Sequence, residues 1–126
     1  MKNLREYFRI KGTPEEVYAA LVNPFSIALW TGEDAEMKEE AGSTFSLFGG
    51  DISGKNLEFE KDHKIVQEWD FGEQEDASIV TITLRADRHY TNVELHHINI
   101  PDEAYEDMVH GWETYYFGGL KEFFEM

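Results

Sequence analysis

Apolar and polar residues alternate along much of the chain, and a period of two predicts β-strands with one buried face. The first runs from Asn3 to Ile10, where Phe8 and Ile10 share one face and Tyr7 lies on the other. Further strand-like runs follow between turn signals rich in glycine, aspartate and lysine. These predicted strands are Thr44–Phe48, Ile52–Phe59, Lys64–Phe71, Ser78–Leu84 and Thr91–Ile100.

Two short helices are predicted directly after the first strand. The run Thr13-Pro14-Glu15-Glu16 is typical of a helix start, with a threonine cap, a proline at the first helical position and a glutamate that closes a capping box. Asn23-Pro24 ends this helix, because the residue before proline disfavours helical backbone. Phe25 to Trp30 then forms the second helix, and the acidic stretch from Glu33 to Glu40 predicts an edge strand with a solvated face.

A helical period begins after Pro101 and continues to about Phe124. Its apolar positions are Tyr105, Met108, Val109, Trp112, Tyr116, Leu120, Phe123 and Phe124. At 1.5 Å per residue, such a helix is roughly 35 Å long and can cross a whole small domain. The glycines at 111, 118 and 119 indicate close packing against strands or a local kink, since each costs about 1 kcal/mol inside a helix.

This order of elements predicts a single α+β domain over residues 1–126. A lone sheet must bury one face, and only the C-terminal helix is long enough to cover it. We expect a curved antiparallel sheet of six or seven strands around that helix, with the two short helices closing one end.

Composition and charge exclude several classes of function. The chain has 126 residues, no cysteine and a net charge of −15. Such a charge makes nucleic acid and anionic membranes poor partners. Without cysteine there is no disulfide and no thiolate. No apolar run has the length of about 18 residues that a membrane span needs, and the N-terminus does not look like a signal peptide. We therefore expect a cytoplasmic protein.

Several short motifs occur in a fixed order along the chain. They are Thr13-Pro14-Glu15-Glu16-Val17-Tyr18, Gly49-Gly50-Asp51-Ile52-Ser53-Gly54, Lys64-Ile65-Val66-Gln67-Glu68-Trp69, Val80-Thr81-Ile82-Thr83-Leu84 with Thr91, Ile100-Pro101, and Gly111-Trp112 with Tyr115-Tyr116-Phe117. From about residue 5 to residue 124 this set resembles the START-like (Bet v 1-like, SRPBCC) superfamily, and within it the Aha1 (activator of Hsp90 ATPase) C-terminal-domain-like family. The resemblance implies a helix-grip fold, a cavity between sheet and helix, and a stress-response role near Hsp90-type chaperones.

Seven residues are candidates to line that cavity. They are Trp30, Trp69, Val93, Leu95, His97, Trp112 and Tyr116. Trp112 and Tyr116 lie on the inner face of the long helix, and Trp30 is expected near the cavity mouth. His97 is in register with Val93 and Leu95, which points it inward. The alternative interpretation for all seven is packing in an ordinary core.

We predict no catalytic group, cofactor or metal site. His96 and His97 are adjacent on a strand, so they point to opposite faces and cannot share an ion. The strand glutamates are expected on the solvated outer face: Glu58, Glu68 and Glu94.

The sequence thus favours a non-enzymatic binding domain whose mostly hydrophobic cavity takes a hydrophobic small molecule. Two alternatives stay open. One is an Hsp90 co-chaperone-like adaptor, and the other is a cyclase- or hydrolase-type enzyme that uses Glu94 or His97 with Tyr116. The oligomeric state is also left open, a homodimer included.

Overall fold

The computed structural model describes residues 1–126, and its largest element is one six-stranded sheet. The strands are β1 (Lys2–Ile10), β2 (Thr44–Leu47), β3 (Ile52–Glu60), β4 (Lys64–Trp69), β5 (Ser78–Asp87) and β6 (Tyr90–Ile100). All neighbours are antiparallel, in the spatial order β1-β6-β5-β4-β3-β2. The first strand therefore pairs with the last, and β1 and β2 form the two edges of the sheet.

Helices cover the concave side and one end of this sheet. Two short ones follow β1, and the third crosses the sheet in four parts. They are α1 (Pro14–Val22), α2 (Pro24–Thr31), and a C-terminal helix at 102–124 made of a 3-10 turn (Asp102–Ala104), α3 (Tyr105–Gly111), a π-helical turn (Trp112–Tyr116) and α4 (Phe117–Phe124). This arrangement confirms the predicted α+β helix-grip fold. None of these helices has both the length and the apolar character of a membrane span.

The ends of the two short helices are fixed by side-chain caps. As predicted, Glu16 N–H donates to the Thr13 hydroxyl over 3.2 Å, and Thr13 N–H donates to the Glu16 carboxylate over 2.9 Å. Asn23 does more than end α1. Its side-chain oxygen accepts from the N–H groups of Phe25 and Ser26, at 2.8 and 3.3 Å, and so caps α2 as well. One asparagine therefore sets the angle between the two helices.

Three neighbouring strands come close together at Gly54 of β3. A Cβ atom on this residue would lie 1.9 Å from the carbonyl oxygen of Glu68 and 2.9 Å from the ring of Phe45. No other residue type leaves room for so close an approach of neighbouring strands. Gly54 thus allows β2 and β4 to pack tightly against both sides of β3.

The core lies between the inner face of the sheet and the C-terminal helix. Phe8 of β1 stacks on Phe117 of α4 with ring centroids 4.4 Å apart. Ile10 and Leu120 are fully buried on the same two elements. Burial of an aliphatic side chain of this size stabilises the fold by about 1.5–3 kcal/mol, so this contact fixes the helix on the sheet.

The three helical glycines have different surroundings. At Gly118 a Cβ atom would lie 2.7 Å from the carbonyl oxygen of Glu113, five residues earlier, as the π-helical turn requires. At Gly119 it would lie 3.0 Å from the carbonyl oxygen of Trp30, so the close contact is with α2 rather than with a strand. Gly111 has no atom within 4 Å of its Cβ position, and packing does not explain it.

The edge strand predicted for the acidic stretch after α2 is wrong. Only Glu36 pairs with Ser46 of β2, in a single bridge. Met37 then turns inward and is buried, and the Glu39 carboxylate accepts a 2.6 Å hydrogen bond from the Tyr18 hydroxyl on α1. These two anchors draw the chain away from the sheet edge, which leaves six strands rather than seven.

Candidate functional site

A π-helical turn, Trp112–Tyr116, interrupts the C-terminal helix where it crosses the sheet. Its hydrogen bond joins the N–H of Phe117 to the carbonyl oxygen of Trp112, one residue further along than in an α-helix. Trp112, Tyr116 and Phe117 are all at most 4% exposed. The wider turn directs three large rings toward the sheet, and single π-helical turns are frequent at functional sites.

Beside this turn lies a groove of about 440 Å³ that is open to solvent on one side. Its walls are mostly aromatic and are formed by Phe48, Trp69, Trp112, Tyr115, Tyr116, Ile52 and Met108. The rings of Trp69 and Trp112 are stacked at 4.6 Å, and Tyr116 lies 4.5 Å from Trp112. The volume is within the range of small-molecule sites.

Phe48 closes the groove from the turn between β2 and β3. Its φ angle is 54°, which is rare for a non-glycine residue, and Gly49 and Gly50 that follow also have positive φ angles. The turn holds the Phe48 ring 6.2 Å from Trp30 and 6.5 Å from Tyr116. The two glycines therefore place an aromatic side chain against the helix.

The rim of the groove is acidic. Glu33 follows α2, Asp51 precedes β3, and Asp107 lies in α3. His110 is the one basic side chain that lines the groove. The site therefore combines an aromatic interior with carboxylates from three separate segments.

The hydroxyl group of Tyr116 opens into the groove. Tyr116 is 4% exposed, and its hydroxyl makes no side-chain hydrogen bond, yet it is not among buried atoms cut off from solvent. Solvent must therefore reach it through the groove. Burial raises the pKa of Tyr116 well above its usual range, so the hydroxyl keeps its proton.

Behind the groove, a buried hydrogen-bond chain fixes Trp112. Its indole N–H donates to Nδ1 of His97 over 3.0 Å, so Nδ1 carries no proton. The proton of the neutral imidazole is then on Nε2, which donates to the Ser78 hydroxyl over 2.8 Å. That hydroxyl donates to the carbonyl oxygen of Ile98. Burial lowers the pKa of His97 to about 3, so it stays neutral.

A second buried hydrogen-bond chain fixes Trp69, which stacks on Trp112. The Trp69 indole N–H donates to the Gln67 side chain over 3.0 Å, and Gln67 donates to Asn56 over 2.9 Å. Asn56 and Gln67 are at most 2% exposed. Neither amide was among the predicted site residues. The available signal was Gln67 itself, a polar residue in register with Ile65 and Trp69 on the inward face.

Glu6 of β1 and Glu113 of the π-helical turn face each other across the helix–sheet contact. Burial, and then a hydrogen bond and repulsion from the Glu113 carboxyl group, raise the pKa of Glu6 to about 7. This acid pair joins the first strand to the turn that carries the aromatic wall.

The comparison with known families agrees with this geometry. Residues 11–125 match the family described as Activator of Hsp90 ATPase homolog 1-like protein. The chain belongs to this family. A relative from Dictyostelium discoideum, named Activator of 90 kDa heat shock protein ATPase homolog, is 34% identical over 96% of this chain. The human homolog 1 is 28% identical over 89% of it. This chain spans only 32% and 34% of those two proteins, about a third of their length.

Solved structures of the activator family have the same architecture. An HSP90 activator from Plasmodium falciparum superposes with a TM-score of 0.88 at 26% identity, over 98% of this chain and 96% of that one. An Aha1 protein from Colwellia psychrerythraea, described as a dimer, superposes at 0.83 with 20% identity, over 100% and 98% of the two chains. The second likeness supports the fold alone.

In this member of the activator family, the seven candidate residues fall into three groups. Trp69, Trp112 and Tyr116 line the groove. Trp30 and His97 lie directly behind it, with ring centroids 5.0 Å from Tyr116 and 5.8 Å from Trp112. Val93 and Leu95 are buried deeper, at 1% and 0% exposure, and do not line the groove. Ligand contact by any of them stays a prediction.

The strand glutamates lie away from the groove. Glu94 pairs with Arg5, Glu58 with Lys64, and Glu68 is exposed. Glu94 is on the face opposite His97, so these two residues do not form a common cluster with Tyr116. No group of three or more metal-ligating side chains converges on one point.

Proposed function

We propose that the chain is a non-enzymatic binding domain that acts on an Hsp90-type chaperone. One observation carries this proposal: the match to the HSP90 activator of Plasmodium falciparum covers nearly the whole of both chains, at 26% identity and a TM-score of 0.88. The Dictyostelium relative, 34% identical, supports the same partner.

Purified Hsp90-type chaperone from the same organism tests this proposal. We expect the domain to form a saturable complex and to change the ATPase rate of the chaperone. An unrelated protein of similar size and acidity is the control, because a net charge of −15 attracts basic surfaces without specificity. Absence of both a complex and a rate change would remove the chaperone from the proposal.

The state of the interior polar groups supports binding over catalysis. Both ring nitrogens of His97 are engaged in hydrogen bonds, and its pKa of about 3 keeps it from accepting a proton near neutral pH. Glu94, the other candidate base, pairs with Arg5 on the opposite face of the sheet. A general base needs a free lone pair and a pKa near the working pH.

A second function is favoured by the groove itself: we propose that it binds an apolar small molecule. Five aromatic rings and two aliphatic side chains form its walls, and the Tyr116 hydroxyl is available for one polar contact. Such a combination of an apolar lining and few polar groups is typical of ligand sites.

Binding of 1-naphthalenemethanol, a neutral aromatic alcohol, tests the groove. Gly111 lies between Met108 and Tyr115 on the groove-facing side of the helix, and its Cβ position is open. We expect Gly111→Leu to fill the groove and to abolish binding, whereas Gly111→Ala leaves it nearly unchanged. Calorimetric titration measures both. Equal binding by the two variants would place the alcohol elsewhere, and no binding by the wild type would end this proposal.

A further inference from the structure

The carboxylates on the rim of the groove have no basic partner. None of Glu33, Asp51 and Asp107 takes part in the ion pairs of the protein. No lysine or arginine lines the groove. Carboxylates gathered around an apolar cavity raise the free energy of any anion that enters it, and they favour a cation.

The Tyr116 hydroxyl is an independent sign that a polar ligand group enters the groove. Its side chain is 96% buried, yet the hydroxyl has no hydrogen-bond partner and reaches the groove. No protein group pairs with this hydroxyl, so only solvent or a ligand in the groove can complete its hydrogen bonds. The oxygen retains lone pairs that can accept a hydrogen bond from an N–H donor.

Aromatic walls complete the environment that an organic cation requires. Tyr115 is 60% exposed at the groove, and the rings of Trp112 and Tyr116 lie within it. Aromatic faces attract ammonium and guanidinium groups through their quadrupole, most strongly where water is excluded. A volume of about 440 Å³ suits a small molecule rather than a long peptide.

We propose that the groove takes a small organic cation: an ammonium or guanidinium group carried on an aromatic or aliphatic body. The body stacks on the rings, the Tyr116 oxygen accepts a hydrogen bond from the cation, and the rim carboxylates neutralise its charge. This inference rests on the proposal that the groove binds a small molecule, and it adds the charge of that molecule.

Three probes with one naphthalene body test the charge: 1-naphthylmethylamine, 1-naphthalenemethanol and 1-naphthaleneacetate. They are a cation, a neutral molecule and an anion at neutral pH. We expect the amine to bind about tenfold more tightly than the alcohol, and the acetate to bind weakest. The preference should shrink in about 0.5 M salt, because exposed rim charges are screened.

A triple variant identifies the rim as the source of this preference. Glu33→Gln, Asp51→Asn and Asp107→Asn together should remove the advantage of the amine, so that its affinity comes close to that of the alcohol. The matched control carries Glu73→Gln, Glu75→Gln and Asp76→Asn in the exposed loop between β4 and β5. It alters net charge by the same amount and should keep the preference. Tyr116→Phe should weaken the amine more than the alcohol.

Any other outcome of these binding measurements overturns the inference, and the outcomes show which part of it fails. If amine and alcohol bind equally, or the acetate binds best, the charge assignment fails while the groove remains a ligand site. If both triple variants lose the preference equally, overall charge is responsible rather than the rim. If none of the probes binds but a lysine-rich peptide does, the small-molecule proposal fails together with the inference.

Discussion

Replacing Gly54 by alanine is expected to destabilise the domain by roughly 2–4 kcal/mol. The added methyl group would lie 1.9 Å from the Glu68 carbonyl oxygen, far inside contact distance. Flexible side chains could move away, but this neighbour is backbone. Glu68 pairs with Ile79 of β5 on its other side, so β4 cannot retreat without breaking a second strand contact.

Gly111→Ala is the matched control for this prediction. Gly111 has φ and ψ angles of −63° and −43°, an ordinary helical backbone, and no atom lies within 4 Å of its Cβ position. The same chemical change should therefore stabilise the protein, by up to about 1 kcal/mol. Urea unfolding of the two variants measures both effects. A Gly54→Ala variant as stable as the wild type would mean that β3 and β4 are not held this closely.

Gly54 also shows where sequence reasoning reaches its limit. Gly49-Gly50-Asp51 predicts a hairpin turn, and the structure has a 3-10 turn at Phe48–Gly50 between β2 and β3. The role of Gly54 depends on Glu68, fourteen residues later and on another strand. A contact of that kind depends on strand register and sheet curvature, which one local pattern does not determine.

The long helix was predicted correctly in place and length, but its π-helical turn was not. The apolar positions 108, 112, 116 and 120 fit a continuous α-helix equally well. A π-helical turn contains one residue more than an α-helical turn. Only the structure reveals this additional residue, because Phe117 is buried beside Tyr116 and stacks on Phe8 of β1. The inserted residue thus follows from tertiary packing against the first strand, and helical spacing alone does not reveal it.

The candidate site was predictable where it belongs to regular elements. Trp69, Trp112 and Tyr116 occupy inward positions of a strand and a helix, and periodicity alone identifies such positions. The rim carboxylates Glu33, Asp51 and Asp107 could not be predicted in this way, because they come from a loop, a turn and a helix that are distant in the sequence. The chain contains 26 acidic residues, so composition gives no reason to select these three.

The buried imidazole of His97 is expected to make a destabilising contribution as the pH drops below 6.5. The pKa of His97 is about 3 in the folded protein and near 6.5 when the chain is unfolded. Between these values the unfolded state binds a proton that the native state does not. The loss from His97 taken alone is about 1.4 kcal/mol per pH unit, or roughly 2 kcal/mol by about pH 5.

Glu6 opposes this effect over part of the same range. Its pKa is about 7 in the folded protein against 4.5 for the free group. The native state therefore holds the extra proton, and the contribution of Glu6 is fully present below pH 4.5 and is lost as the pH rises through 7. A Glu6→Gln background removes this opposing change. In this background, the unfolding free energy should fall more steeply with decreasing pH than in the wild type.

His97→Gln and His96→Gln, both made in the Glu6→Gln background, separate the buried imidazole from its neighbour on the opposite face of the strand. The two histidines are adjacent, and only His97 faces the core. We expect His97→Gln to flatten the curve of unfolding free energy against pH from 6.5 down to 4. His96→Gln should have a much smaller effect, because burial is the larger cause of the lowered pKa of His97 and repulsion from His96 the smaller.

Protonation of His97 also has a local consequence, because Nδ1 could no longer accept the Trp112 N–H. Native His97 stays neutral until the pH approaches about 3. The indole ¹⁵N–¹H signal of Trp112 should therefore stay constant from pH 6.5 to 4 and shift only near pH 3, while that of Trp30, which donates to Ala20, should not shift there. Equal pH curves for the two histidine variants, or a Trp112 signal that already shifts near pH 6 while the protein is folded, would contradict a neutral His97 in this role. The expected result would link the groove wall to the protonation state of a residue that lines no part of the groove.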